Sequence, residues 1–84
     1  MPETEVGSIT DFFARPVVAG VQLTAPLKVG DAVHIKGATT DLKLVVESMQ
    51  LDNKAVTQGS AGQAVGIKVT DRVRRGDRVY RVEA

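Results

Sequence analysis

Apolar and polar positions alternate with a period of two through much of the chain. Between Val17 and Leu23, the residues Val17, Ala19, Val21 and Leu23 alternate with Val18, Gly20 and Gln22, the signature of a strand with one buried face. Val65, Ile67 and Val69 repeat it within Gln63–Val69. Within Ala32–Lys36, Val33 and Ile35 are expected to point inward, and His34 and Lys36 outward. Six strands are predicted: Val6–Phe13, Val17–Leu23, Ala32–Lys36, Leu42–Leu51, Gln63–Val69 and Arg78–Val82. In the fourth, the run Leu44-Val45-Val46 is apolar on both faces and leaves the register open. A helix over residues 39–51 is the rival there, but Thr39-Thr40 and the β-branched pair Val45-Val46 favour strand.

Turn residues separate these segments at roughly the 8–12-residue spacing of a sandwich or barrel. Lys28-Val29-Gly30-Asp31 reads as a tight turn and Gly37–Asp41 as another. Asp52-Asn53-Lys54 breaks the fourth strand, and Val56 is expected to plug one end of the core. Residues 57–62 form a loop, and residues 71–77 a polar connector with room for one helical turn. Gly20 and Gly66, inside strands, suit sharp bends or close backbone approach. Short strands with glycine-rich corners hide their edges by closing on themselves. The expected fold is therefore all-β, a small six-stranded closed or nearly closed barrel over residues 6–84, behind a flexible tail over residues 1–5.

Composition narrows the picture. Eighty-four residues, 43% of them apolar, make one domain with a thin stability margin. With no cysteine and one histidine, neither disulfides nor a zinc site can brace it. Met1-Pro2-Glu3-Thr4-Glu5 is too polar and acidic for a signal peptide, and no apolar run approaches the ~18–20 residues of a membrane span. A soluble, cytoplasmic monomer without membrane contact or cofactor is expected.

The net charge of +1 hides an asymmetry. Residues 1–67 carry five Lys or Arg against seven acids, whereas residues 68–84 carry six against three. Lys68, Arg72, Arg74, Arg75, Arg78 and Arg81 form the basic end, and Arg15 sits beside Phe12-Phe13. Such a segment suits an anionic partner, but edge strands also carry charge simply to deter pairing. Phe12 and Phe13 must face opposite sides of a strand, so one can enter the core while the other stacks on a base; the more ordinary arrangement is that they cap the two ends of the core.

Catalytic chemistry finds little support. Ser8, Ser48 and Ser60 are conceivable nucleophiles beside His34, yet a lone histidine on a polar strand face is ordinarily a surface residue. The glycines of residues 59–68 lack the Lys-Ser/Thr of a phosphate-binding loop. Arg75-Gly76-Asp77 spells an integrin-ligand tripeptide, but such a triplet arises often by chance.

Three segments in order, Leu27-Lys28-Val29-Gly30-Asp31, Gly59–Ile67 and Arg75-Gly76-Asp77-Arg78-Val79, resemble the second-domain β-barrel of translation elongation factor Tu. The stretches Thr10–Phe13, Thr39–Asp41 and Val46–Gln50 bring the chain closer to one branch: the C-terminal barrel of a collagenase-like peptidase family, some of whose members are implicated in RNA hydroxylation. The resemblance implies contact with tRNA or rRNA, or an accessory role beside a separate catalytic part. Two functions are thus expected of a non-catalytic binding module. One is RNA contact through Lys68, Arg72, Arg74, Arg75, Arg78, Arg81 and Arg15. The other is docking onto a separately encoded enzyme or translation factor.

Overall fold

A computed structural model describes residues 3–14, 17–52 and 54–82. These form ten strands: β1 (Glu3–Phe13), β2 (Val18–Leu23), β3 (Leu27–Lys28), β4 (Ala32–Lys36), β5 (Asp41–Val45), β6 (Met49–Leu51), β7 (Lys54–Val56), β8 (Gln58–Gly59), β9 (Ala64–Lys68) and β10 (Arg78–Val82). The described residues contain no helix, and so none long and apolar enough to cross a membrane. Eight strands make one antiparallel sheet in the order β5-β4-β10-β1-β2-β9-β6-β7, and β3 pairs with β8. Where a six-stranded barrel is expected, the hydrogen-bonded order has two ends, β5 and β7, that do not pair with each other.

All six predicted segments contain strand, but the fourth is cut in two. β5 pairs with β4, and β6 with β9 and β7. Between them the chain turns a corner at Val46, which is buried while Val45 is 52% exposed. The Val46 N–H donates to the Asp31 carbonyl at 2.9 Å, and the Gly30 N–H donates to the Val46 carbonyl at 2.8 Å. The corner is thus bonded to the Gly30 turn, where φ is +98°. The additional strands β3 and β8 are two residues each, too short to show a period.

The first strand starts earlier than expected. Glu3–Glu5, placed in the tail by sequence, pair with Tyr80–Val82 of β10. Two register shifts, between Glu5 and Gly7 and between Ile9 and Asp11, let β1 bend as it passes from β10 to β2, as bulges do. The curled sheet wraps one core that includes Val6, Ile9, Val21, Leu23, Leu27, Ile35, Val46, Met49, Ile67 and Val79. Burying each such side chain is worth about 1.5–3 kcal/mol before chain entropy is counted. Val56 is half-buried against this core, as a plug would be.

The connector over residues 71–77 contains no helical turn. Val73 is buried and anchors it. The connector ends in a turn at Arg75-Gly76, where the Gly76 N–H donates to the Ile9 carbonyl at 2.9 Å and Gly76 has φ +94°.

Candidate functional site

The outer face of β1, β2, β9 and β6 carries a groove because two paired positions on it have no side chain. Gly20 lies opposite both Asp11 and Gly66, and Gly66 opposite Gln50, so one row across four strands reads Asp11, Gly20, Gly66, Gln50. Residues directly opposite share a face, and the glycine pair leaves bare backbone as a floor. The resulting groove has a volume of about 570 Å³ and is walled by Phe13 and Val18 towards one end and Gln50 and Asp52 towards the other.

Phe13 settles the question of the adjacent aromatics. Phe12 packs against the core, whereas Phe13 is 54% exposed. The neighbouring row reads Phe13, Val18, Lys68, which sets an exposed aromatic, an aliphatic wall and a cation side by side. The Arg72 guanidinium lies 5.9 Å from the centre of the Phe12 ring, a contact worth roughly 0.5–1 kcal/mol on a surface. Arg74 is exposed in the same connector. Arg75 donates from Nε to the Thr10 carbonyl at 2.9 Å and from Nη2 to Asp11 Oδ1 at 3.1 Å, at the rim of the groove.

The basic segment does not stay together. Arg78 lies 3.6 Å from Glu5 Oε1 and opposite Lys36 on β4. Arg81, on the other face of β10, donates to the Pro26 carbonyl at 2.9 Å and lines a separate polar groove with Lys28, Asp31 and Ser60. Three of the seven expected cations, Lys68, Arg72 and Arg75, therefore lie beside Phe12, Phe13 or the groove rim, with Arg74 exposed in the same connector, and Arg78 and Arg81 are drawn away towards Glu5 and Pro26. Arg15 lies outside the described residues.

Asp77 removes the integrin-type reading. Its side chain is buried, with Oδ2 accepting the Arg74 N–H at 2.9 Å, so the tripeptide is not presented to a partner.

His34 departs from its expected exposure. It sits on the outer face, yet its side chain is only 9% exposed. Nδ1 is 2.8 Å from Glu3 Oε2, and Nε2 bonds Asp41 Oδ1. Lys36 Nζ lies 2.8 Å from Glu3 Oε1 and 5.2 Å from the centre of the Tyr80 ring. Hydrogen bonds from Lys36 and then His34 hold the Glu3 carboxyl down to about 2. The His34 hydrogen bond also lowers Asp41. The sequence offered a faint signal for half of this, since Lys36 and Asp41 close a hairpin that brings Asp41 beside His34. Glu3 is 31 positions away and carried none. Among the described residues no cluster of His, Cys, Asp or Glu is arranged to hold a metal ion.

No family model matches the chain. In sequence it is 42% identical over 77 residues to an uncharacterized protease of Methanocaldococcus jannaschii, a match covering 90% of this chain and 19% of that protein. It is 31% identical over 83 residues to a collagenase of Porphyromonas gingivalis, covering 96% of this chain and 23% of the collagenase. The chain thus spans about a fifth of the length of the curated relatives it matches. In structure it is similar to the C-terminal domain of a Geobacillus thermoleovorans protein assigned to the U32 peptidases. The TM-score is 0.87 at 18% identity, over 96% of this chain and 93% of that domain. A selenomethionine variant of that domain gives 0.85 over 89% and 95%. At this identity the likeness is one of fold, an all-β domain that those proteins carry at their C-terminus.

Proposed function

We propose that this domain is a non-catalytic accessory module that docks onto the catalytic part of a U32-type, collagenase-like peptidase. The span of the sequence match carries this reading. Nine tenths of the chain aligns, but it accounts for only a fifth of each protease, so it corresponds to an appended domain and not to the main body. The fold likeness to a C-terminal U32 domain over almost its whole length supports the same reading. The wall formed by Phe13 and Val18 beside the glycine-floored groove offers a protein neighbour an apolar surface. Fold alone does not assign a function, so the test is direct. The M. jannaschii protease, expressed without its matching region, is mixed with this chain, and complex formation and peptide hydrolysis are measured. A one-to-one complex that survives high salt, with hydrolysis raised above that of the truncated protease alone, is expected. No complex at high micromolar concentration, where the intact protease is active, overturns the proposal.

A second reading, weak contact with tRNA or rRNA, is favoured by one arrangement: Lys68 beside exposed Phe13, with Arg72 and Arg74 in the adjoining connector. Cations meet phosphates, an aromatic face accepts a base, and the turn motifs that resemble elongation factor Tu point the same way. Affinity for bulk tRNA should fall steeply with salt as counterions are released. It should be lost in Arg72→Glu, Arg74→Glu, Arg75→Glu and kept in Arg78→Glu, Arg81→Glu. Equal loss in both variants, or no binding at low salt, removes this reading.

A further inference from the structure

His34 has a bonding problem that only one protonation state solves. A neutral imidazole donates from one ring nitrogen and accepts at the other, whereas an ionised carboxylate only accepts. Each ring nitrogen of His34 faces a carboxylate oxygen, Nδ1 that of Glu3 and Nε2 that of Asp41. With both carboxylates ionised, only the doubly protonated ring donates to both. We infer that Glu3, His34 and Asp41 form a proton-operated clamp, which in its protonated form ties the start of β1 and the edge strand β5 to β4, and which lets go of β5 when the ring loses its proton.

The two arms are not equal. Glu3 is 22% exposed and is also held by Lys36 Nζ at 2.8 Å. Asp41 is 80% exposed and can be rehydrated at once. The proton lost to solvent is therefore the one on Nε2, and the neutral ring keeps Nδ1–H on Glu3. Asp41 is the first residue of β5, which pairs only with β4. Release of Asp41 thus loosens the end of the sheet where Val45 is exposed. Other charges set the balance. Lys43 lies opposite His34 on β5, Lys36 lies two residues on, and Arg78 is opposite Lys36; all three oppose a charged ring. Glu5, opposite Tyr80, favours it but is 3.6 Å from Arg78. Tyr80, opposite His34 on β10, contributes its ring to Lys36.

The lowered carboxyl groups agree in sign. A depressed folded-state value means that ionised Glu3 and Asp41 stabilise the fold above their unfolded values, and that this is lost as pH falls, for Glu3 from 4.5 towards about 2. The ring acts with the opposite sign, because its bonds to both carboxylates need both ring nitrogens protonated and one of them is lost with a proton.

The test is nitrogen-15 NMR of the imidazole in the intact chain from pH 5.5 to 8.5, with amide exchange followed in β5 and β2. Two protonated nitrogens at the acid end, a single Nδ1–H at the alkaline end, and Leu42 and Leu44 exchanging on the order of tenfold faster relative to β2 amides, after correction for base catalysis, are expected. His34→Gln, whose donors sit on a single nitrogen and so cannot meet Glu3 and Asp41 from opposite sides as the ring does, should show low β5 protection at every pH. A neutral Nε2–H ring at the acid end, or β5 protection that tracks β2 throughout in the wild type, overturns the clamp.

Discussion

The outer surface of the sheet is built in two ways. On β5, β4, β10 and β1 it is a network in which Glu3, His34, Lys36, Asp41 and Tyr80 hold one another across four strands. On β1, β2, β9 and β6 it is a bare floor, where Gly20 and Gly66 face each other and Val18 and the exposed Phe13 form one wall. The first half ties many of its polar groups to one another. The second leaves an exposed aromatic ring and bare backbone beside cations such as exposed Lys68. A surface that stabilises itself and a surface available for binding are alternatives, and this domain puts one on each side of β1. On the proposed reading, the docking face lies on the glycine half and the charged half serves as a structural device.

β1 is the seam, and breaking it should have the largest effect. Gly7 pairs with Val79 on one side and Leu23 on the other. A Cβ there would lie 2.6 Å from the Gln22 carbonyl oxygen and 2.9 Å from Val21 Cγ1, against backbone that cannot yield. Gly7→Val should cost about 3 kcal/mol, enough to leave a small domain largely unfolded. A urea midpoint equal to wild type would show that the seam can open without loss of the fold.

Gly76 tests a turn at the edge of the binding half. Nothing lies within 4 Å of its Cβ position, but φ is +94°, so Gly76→Ala should cost about 1–2 kcal/mol from backbone strain alone. Gly66→Val is the contrast. Its new Cβ would meet only Val18 Cγ1, at 3.3 Å, and valine prefers strands, so stability should stay within about 1 kcal/mol of wild type. Partner binding should nevertheless fall, because the side chain fills the groove. A cooperative unfolding curve alongside the binding assay separates the two effects, and a variant that binds as well as wild type would move the interface off the glycine floor.

The smallest effect concerns the charged half. Glu3→Gln should remove the acid limb of stability that the wild type shows as pH falls from 4.5 towards about 2, leaving a flatter melting profile there. An unchanged acid limb would mean that other carboxylates, and not the network, set it.

The sequence alone determined the all-β class, most strand positions and the turn at Gly30. Those rest on local rules: the two-residue period of a half-buried strand, β-branched preference and positive φ at glycine. It also showed that Phe12 and Phe13 must face opposite ways, but left open which of them, if either, is exposed. What remained for the tertiary structure was everything that depends on which strand lies beside which. Val45 and Val46 read alike in sequence, and only the corner bonded to Gly30 and Asp31 decides that one is exposed and the other buried. The strand count changed because the fourth segment splits at Val46, β7 pairs with β6, and β3 and β8 exist only by pairing with each other across the chain. The basic segment looked continuous, yet pairing of β10 with β1 and β4 sends Arg78 to Glu5 and Arg81 to Pro26, away from Lys68 and Arg72. His34 looked like a surface residue because its burial comes from Glu3, which no local pattern connects to it. A period reports which way a side chain points relative to its own strand. Only the fold decides what it meets there.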